Sequence, residues 1–245
     1  MSRGKNSVVS KLRNDEMYYG KFGQKWLSNS DISTLLNNPL MFRKGKSDSK
    51  AMLMGRYFHW AILEPEKAKE IRCIDATTRS TKLYKDATRD GSMALLCHEQ
   101  DQVDRMVDAI KSNFDFFEGI YEEGNVYELP EVGSINELPW KGKADIITKD
   151  KIIDLKTTSG INSFRHSAYK YNYDSQAYIY QTLFGKPMEF WVIDKSTLAM
   201  GMFHCSDEFL RSGEQKVKRA SEVYNRFFGD NANESIENHY IVEEL

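Results

Sequence analysis

The pattern of hydrophobic and polar positions divides the chain into a helical first half and a second half rich in strands. Residues 30–38 predict a short helix that starts on polar residues and stops before a proline. The largely apolar residues 51–63 predict a second helix, and residues 99–112 predict a third because their apolar side chains recur at helical spacing.

Beyond residue 120 the spacing of apolar residues changes from helical to alternating. This part of the chain predicts five strands joined by turns, together with two helices. The first two strands are expected to turn near 133–136. The predicted strands lie within residues 124–132, 138–158 (two strands with a turn at Lys149-Asp150), 188–194 and 198–205, and the helices within 170–184 and 207–228. Such a mixture predicts a sheet with helical cover.

Composition places the chain among globular proteins with one sizeable core, since it has 245 residues and 40% hydrophobic content. It contains no apolar run long enough to cross a membrane, and its first residues lack the apolar centre of a signal peptide. Cys73, Cys97 and Cys205 are widely spaced and provide neither a disulfide framework nor a zinc motif. These features favour a cytoplasmic, reducing compartment.

The net charge of -2 hides an uneven distribution. Residues 1–60 contain 11 Lys and Arg against 4 Asp and Glu, whereas residues 61–160 contain 14 against 20. A basic N-terminal segment attracts phosphate, and a carboxylate-rich middle can hold hard cations. An unevenly charged solvated surface accounts for the same counts, so charge alone leaves both interpretations open.

Asp145, Asp154 and Lys156 form the pattern with the clearest chemical meaning. Because side chains alternate along a strand, Asp154 and Lys156 share one face of the apolar run IIDLKTT. A hairpin with the preceding strand brings Asp145 near them. Two carboxylates that face one space repel each other, and a divalent cation relieves that repulsion. The pattern predicts a Mg²⁺ site that activates water against a phosphorus centre, with the lysine orienting the water or stabilising the developing charge.

The segment KGKADIITKDKIIDLKTT, residues 141–158, closely resembles the core of the PD-(D/E)xK nucleases. Further motifs resemble the phage and prophage exonuclease VIII group of that superfamily, in the same order from about residue 29 to residue 228. These motifs are NSDISTLLNNP (29–39), MGRYFHWAILEPE (54–66) with Gly55, His59, Leu63, Glu64 and Pro65, EGNVYE (123–128) and QAYIY (176–180).

The resemblance implies a fold class and domain limits. It implies an α/β fold with a restriction-endonuclease-like core, in which a central mixed β-sheet is flanked by helices. The nuclease domain is expected over residues 29–228. A basic N-terminal extension over residues 1–28 and an acidic C-terminal tail over residues 229–245 are expected on either side of it.

The resemblance also implies a set of metal ligands. They are Asp145 and Asp154, helped by the Leu155 carbonyl, His59 and an acidic residue of the preceding strand. A histidine on an otherwise apolar helix is by itself more often a core residue, so the role of His59 in binding a second metal or a substrate phosphate comes from the resemblance.

Two residues compete for the position of the strand acid. Glu123 is favoured, because a turn centred near Ser134 places it across from about Asp145. Glu128 is the competitor, and the same turn would place it across from about Lys141. The remaining interpretation is that both are ordinary exposed carboxylates.

Further side chains are candidates for catalysis and DNA binding. Gln176 and Tyr180 are one helical turn apart and share a face. The resemblance implies that Gln176 reaches the catalytic lysine or the metal-bound water and that Tyr180 supports it, and Tyr180 is also grouped with the DNA contacts. Ser33, Arg43 and Arg56 are candidates for a terminal-phosphate pocket, because arginine binds phosphate in bidentate fashion and a hydroxyl adds a donor. Their alternative is an ordinary surface position.

By resemblance, the chain is expected to be an exodeoxyribonuclease that degrades double-stranded DNA ends from 5′ to 3′ and leaves a 3′ overhang for phage recombination. The implied cofactor is Mg²⁺, with Mn²⁺ as a substitute and two ions per site. A homo-oligomeric ring (trimer or tetramer), a single-strand annealing protein as partner and the cytoplasm of a bacterial host are also implied. The alternatives are a structure-specific endonuclease of the same superfamily and a catalytically inactive DNA-binding module.

Overall fold

A five-stranded mixed sheet with helices on both faces forms the centre of the molecule. The structure is a computed structural model that describes residues 3–45, 48–230 and 232–240. Its strands are β1 (Cys73–Ile74), β2 (Leu95–Leu96), β3 (Val126–Ile135), β4 (Leu138–Ile147), β5 (Ile152–Thr158), β6 (Met188–Asp194) and β7 (Met200–His204). Its α-helices are α1 (Arg3–Leu12), α2 (Asp15–Tyr19), α3 (Asn29–Asn37), α4 (Lys50–Leu63), α5 (Pro65–Ala68), α6 (Lys82–Ala87), α7 (Cys97–Ser112), α8 (Phe114–Tyr121), α9 (Phe164–Lys170), α10 (Tyr173–Phe184) and α11 (Asp207–Phe227). Short 3-10 helices cover Gly23–Lys25, Pro39–Met41, Ile161–Ser163 and Ile236–Asn238. None of these described helices combines the length and the apolar character that a bilayer crossing requires.

The sheet has the strand order β3-β4-β5-β6-β7. Strands β3, β4 and β5 form an antiparallel meander, β5 and β6 are parallel, and β7 returns antiparallel to β6. The parallel pair is joined through α9 and α10, because parallel strands need a long crossover connection. Strands β1 and β2 form a separate parallel pair. The expected mixed sheet flanked by helices is therefore confirmed.

Two hydrophobic cores lie on opposite faces of the sheet. On the first face, Trp140 and Phe190 pack with α3, α10 and α11. On the second face, Ile153 and Leu155 pack with α4, α7 and α8. Because side chains alternate along β5, Asp154 lies on the first face, between two residues of the second core.

Two local features differ from the sequence predictions. The hairpin between β3 and β4 turns at Asn136 and Glu137 rather than within 133–136, and φ angles of 50° and 63° at these residues suit a two-residue hairpin turn. The predicted helix over 170–184 is interrupted, because Asn172 has a φ of 59° and separates α9 from α10. The first difference changes which acidic residue faces the central aspartate.

The N-terminal segment packs against the edge strand β3. Leu12 and Tyr18 form a small apolar cluster with Val132 of that strand. Leu27 then pairs with Trp140 of β4. The described part of the predicted N-terminal extension, residues 3–28, is thus in contact with the sheet.

The predicted acidic tail is described as far as residue 240. Arg226 of α11 forms an ion pair with Glu234 of the tail at 2.6 Å. The ring of His239 packs edge-on against Phe227, with centroids 5.7 Å apart. Residues 241–245 of the predicted tail lie outside the described residues.

A buried ion pair fixes the start of α10. The Asp174 carboxylate is buried, and its Oδ1 accepts a hydrogen bond from Lys216 Nζ of α11 at 2.9 Å. The same ammonium donates to the Tyr169 carbonyl and to Asn172 Oδ1, and Ser212 Oγ donates to the second carboxylate oxygen. This network holds the helix that carries Gln176 against α11.

We expect the substitution Lys216→Met to lower the free energy of unfolding by about 2–3 kcal/mol, because it leaves the buried Asp174 carboxylate without its cation. The value is below that of a fully buried pair, since the Lys216 side chain is 22% exposed. Urea unfolding followed by circular dichroism measures the change. Lys218→Met, at an exposed position of the same helix, is the matched control. Equal unfolding midpoints for the two variants would contradict the prediction.

Candidate metal-dependent active site

The Asp145 carboxylate lies at the centre of the site, where β4 and β5 diverge. The strands pair at Ile146–Ile153 and at the adjacent position nearer the turn, and the described residues form no further pair toward Asp145. The Asp145 side chain fills this opening, because its Oδ2 accepts a hydrogen bond from the Leu155 backbone N–H at 2.8 Å. The carboxylate therefore takes the place of a strand partner.

Helix α4 brings His59 to the same carboxylate. Nδ1 of His59 lies 3.2 Å from Asp145 Oδ2. Burial is the largest single influence and lowers the pKa of His59, but the charge and hydrogen bond of Asp145, with the charge of Asp154, together shift this pKa upward. Burial in turn is the largest single influence on Asp145 and raises its pKa, but the charge and hydrogen bond of His59, with the charge of Lys156 and the Leu155 N–H, together hold this pKa below its ordinary value. The two groups therefore stabilise each other in their charged forms.

The strand acid of the site is Glu128, and the prediction that Glu123 faces Asp145 was wrong. Because the hairpin turns further along the chain than expected, Leu129 pairs with Ala144 and Glu128 lies level with Asp145. Glu123 lies in an exposed turn before β3 begins. The expected position of Glu128 across from Lys141 was wrong for the same reason of register.

The cluster of His59, Glu128 and Asp145 fits a divalent cation. One ligand atom from each residue lies within 4.8 Å of the others. Carboxylate oxygens with one imidazole suit Mg²⁺, Mn²⁺ or a similar ion. Burial, followed by the charge of Asp145, raises the pKa of Glu128 to about 7. The part of this shift that comes from Asp145 reflects a repulsion that a bound cation relieves.

Gln176 and Lys156 hold the second carboxylate of the site. Nε2 of Gln176 donates to Asp154 Oδ1 at 2.6 Å, and Nζ of Lys156 forms an ion pair with Asp154 Oδ2. Burial raises the pKa of Asp154 to about 6, although the ammonium of Lys156 opposes the rise. Burial would lower the pKa of Lys156, but the charge of Asp154 raises it.

The structure thus brings together the four residues predicted to be catalytic: Asp145, Asp154, Lys156 and Gln176. Leu155 contacts the site through its backbone N–H. The roles of Asp154 and of the Leu155 carbonyl as metal ligands stay predictions, because the cluster of three potential ligands is formed by other side chains.

Tyr180 packs inside the molecule beside the site, and its grouping with the DNA contacts stays a prediction. Its side chain is buried, and its hydroxyl donates to the Lys143 carbonyl at 3.0 Å. The ring covers Gly142, where a Cβ atom would lie 2.8 Å from a ring carbon. Tyr180 therefore supports β4 beside the site, and its support of Gln176 stays a prediction.

The predicted phosphate pocket of Ser33, Arg43 and Arg56 is not formed. Ser33 lies in α3, which covers the first face of the sheet, and Arg43 comes shortly after this helix in the chain. Arg56 lies in α4, which covers the second face. Arg43 donates to the Trp26 carbonyl at 3.0 Å, and Arg56 pairs with Asp48 at 3.1 Å. The prediction of a shared pocket was wrong because the two helices cover opposite faces.

The charged groups that surround Glu128 were not predicted from the sequence. Nζ of Lys143 lies 3.3 Å from the Glu128 carboxylate and 2.5 Å from Asp15 of α2. Lys67 joins Asp15, at 2.9 Å, to Glu64 at the end of α4, at 2.7 Å. Alternation along β4 could have found Lys143, because it precedes the central aspartate by two residues. No local signal connects the distant Asp15 with the site.

A mixed sheet whose central hairpin carries two aspartates and a lysine, with a glutamine from the crossover helix, defines the PD-(D/E)xK class of fold. The sequence model of one family of this class, described as a PDDEXK-like domain of unknown function, matches residues 36–233. The chain belongs to this family.

Solved structures are similar to this chain to different degrees. The "putative exonuclease" of Eubacterium rectale is similar over 95% of both chains, with a TM-score of 0.64 and 18% sequence identity. An alkaline exonuclease from Laribacter hongkongensis covers 82% of this chain and 89% of its own, with a TM-score of 0.36 and 11% identity. A phage-related exonuclease from Haemophilus somnus 129PT covers 82% and 94%, with a TM-score of 0.35 and 16% identity. A search of curated proteins finds no match. The first similarity establishes the fold.

We expect Glu128→Gln to weaken Mn²⁺ binding at least about tenfold, because the substitution removes an anionic ligand while keeping the side-chain size. Isothermal titration calorimetry of the full chain measures the dissociation constant. Glu123→Gln makes the same charge change in the exposed turn and should bind Mn²⁺ as the wild type does. Weaker binding by Glu123→Gln alone would reinstate the assignment made from sequence.

We expect the stability of the metal-free protein to fall as pH rises from about 5 to 8. The unfolded chain loses the proton of Glu128 near 4.5, whereas the folded chain keeps it to about 7. The folded state therefore binds more protons in this window, and Asp154 acts in the same direction.

Thermal melting at several pH values measures this effect, and the slope should be smaller for Glu128→Gln. Because metal binding needs the ionised carboxylate, Ca²⁺ should raise the melting temperature more at about pH 8 than at about pH 5.5. Identical slopes for wild type and variant would show that Glu128 is not the titrating group.

Proposed function

We propose that the protein is a metal-dependent exodeoxyribonuclease that degrades double-stranded DNA ends from 5′ to 3′ and leaves a 3′ single-stranded overhang. One observation carries the hydrolytic part of the proposal. Asp145, Asp154, Lys156 and Gln176 meet at the strand opening, beside the ligand cluster that contains His59. Burying this many charges is costly for a purely structural purpose, and it suits a site that takes up a cation and a phosphate.

Each side chain has a definite task in this proposal. A bound divalent cation supplies an activated water and neutralises charge on the phosphate. The Lys156 ammonium donates a hydrogen bond to the attacking water or to the phosphate oxygen on which charge develops. Gln176 fixes the Asp154 carboxylate, which in turn holds the ammonium in place. His59 keeps the Asp145 carboxylate ionised and oriented toward the cluster.

The polarity, the assembly and the biological role are inferred from the resemblance to the exonuclease VIII group. That resemblance supports Mg²⁺ as the cation, with Mn²⁺ as a substitute and two ions per site. It also supports a ring of three or four subunits and a role in phage recombination beside a single-strand annealing protein. A ring keeps the digested strand threaded, so the local concentration of the enzyme at the DNA end stays high. The basic N-terminal segment supports contacts with the DNA backbone that do not depend on sequence.

We expect Mg²⁺-dependent release of nucleotides from linear duplex DNA and no cleavage of a covalently closed circle. Asp154→Ala and Lys156→Ala should each lower turnover at least about a hundredfold, because these residues act as a unit. Gel analysis of labelled DNA measures turnover, and circular dichroism shows that the variants are folded. Lys149→Ala, in the exposed turn of the same hairpin, is the matched control and should keep full activity.

The same assay separates this function from its alternatives. Cleavage of the closed circle would identify an endonuclease, and DNA binding without any cleavage would identify an inactive module. Duplexes labelled at the 5′ or the 3′ end report the polarity, and early release of the 3′ label would overturn it. Arrest of digestion by excess unlabelled DNA, together with a monomeric mass in sedimentation, would overturn the ring.

A further inference from the structure

A cleft of about 600 Å³ opens beside the active site. His59 and Lys156 line its inner wall, so the cleft is continuous with the site. The cleft is also lined by α4, by the loop after β5, by the residues between α9 and α10, and by Lys195 after β6. The volume lies within the ~300–1,000 Å³ of clefts that enclose small molecules. A single nucleotide belongs to this size class of ligand.

Lys195 gives the cleft an ammonium group that is not committed to a carboxylate. Within the part of the chain that the structure describes, its Nζ forms no ion pair and no hydrogen bond. The neighbouring Asp194 carboxylate accepts hydrogen bonds from the backbone N–H groups of Ile161, Ser196 and Thr197 instead. Partial burial, followed by repulsion from Lys50, lowers the pKa of Lys195. A half-buried cation in such a position suits an anionic ligand.

The backbone around Lys195 is held in place from two sides. Its N–H donates to the Thr158 carbonyl at 2.9 Å, and its carbonyl accepts a hydrogen bond from Gln102 Nε2 at 3.2 Å. The adjoining loop is also ordered, because Ser163 Oγ donates to the Gly160 carbonyl at 3.1 Å. The backbone of Lys195 is therefore fixed at the edge of the cleft, whereas its side chain is free to move toward a ligand.

Tyr171 provides an aromatic surface at the mouth of the same cleft. Its side chain is 57% exposed, although an aromatic ring gains from burial. The neighbouring Tyr173 is already covered, because it stacks on Phe190 at 5.5 Å and lies under the Lys156 ammonium. Tyr171 and Lys195 line the same cleft. An exposed ring and a cation in one cleft are the combination with which proteins bind single-stranded nucleic acid, since bases stack on the ring and phosphates contact the cation.

We propose that this cleft holds an unpaired nucleotide of the DNA strand being cleaved, with its phosphate at Lys195 and its base stacked on Tyr171. The proposal rests on the proposed nuclease function for the identity of the strand. It implies that the terminal base pair opens before the strand reaches Lys156, so the cleft sorts single-stranded from paired ends.

Binding of a short fluorescent oligonucleotide, hexathymidylate, to the full chain in EDTA tests the proposal without hydrolysis. Fluorescence anisotropy is recorded at several salt concentrations. Tyr171→Ala should weaken binding at least about fivefold, and Tyr171→Phe should preserve it, because the ring and not the hydroxyl provides the stacking surface. Lys195→Gln should weaken binding and also reduce the slope of log affinity against log salt by about 0.7, the value for one contact with a single-strand phosphate. Tyr171→Ala should leave that slope unchanged.

Matched controls exclude general effects of charge and of aromatic surface. Lys218→Gln and Tyr240→Ala change exposed residues outside the cleft and should bind as the wild type does. Melting temperatures confirm that every variant is folded. With Mg²⁺, the cleft variants should raise KM on linear duplex while kcat stays within about twofold, since they remove ground-state contacts.

The outcomes separate this proposal from the proposed function. If the wild type degrades DNA but Tyr171→Ala and Lys195→Gln bind the oligonucleotide with unchanged affinity and salt slope, the cleft proposal is overturned and the nuclease function stands. If no DNA is degraded but these variants lose oligonucleotide binding as described, the nuclease function fails and the cleft remains a single-strand binding site.

Discussion

The divergence of β4 and β5 at Asp145 is the constraint on which the rest of the site depends. Where two strands separate inside a protein, their backbone groups lose their partners, and an unsatisfied buried N–H is costly. The Asp145 carboxylate supplies the partner of the Leu155 N–H. This solution brings a negative charge into the interior, where it needs a positively charged neighbour, and His59 provides it. The shape of the sheet and the charge of the site therefore cannot change independently.

The charges around the strand opening form pairs that extend well beyond the hairpin. Glu128 faces Lys143, and Lys143 also binds Asp15 of the N-terminal segment. An acid from the first helices thus competes with Glu128 for the same ammonium. Two charges interact more strongly when they are close together and partly shielded from water. The N-terminal segment therefore influences the charges of the site, although it contributes no ligand to the cluster.

Local patterns explain how much could be predicted from the sequence. Alternation along IIDLKTT was sufficient to place Asp154 and Lys156 on one face, and the alternation of strands with helices was sufficient to predict a sheet with helical cover. The errors arose where local pattern has no information. The turn lies two to three residues further along the chain than predicted, so Glu128 instead of Glu123 faces Asp145. The positive φ angles of this turn fall on Asn136 and Glu137, and no glycine marks the turn in the sequence. The phosphate pocket failed because sequence order does not tell which face of a sheet a helix covers.

The backbone of Glu128 has a φ of 47°, in the left-handed region that non-glycine residues rarely adopt. Strain of this kind costs roughly 1–3 kcal/mol, and the folded chain carries it whether or not an ion is bound. Glycine or asparagine would relieve it at once, but neither supplies a carboxylate. Selection for thermal endurance and selection for activity therefore act in opposite directions on this single residue. Protein engineering that selects for stability alone would therefore replace Glu128 early, and the carboxylate would be lost.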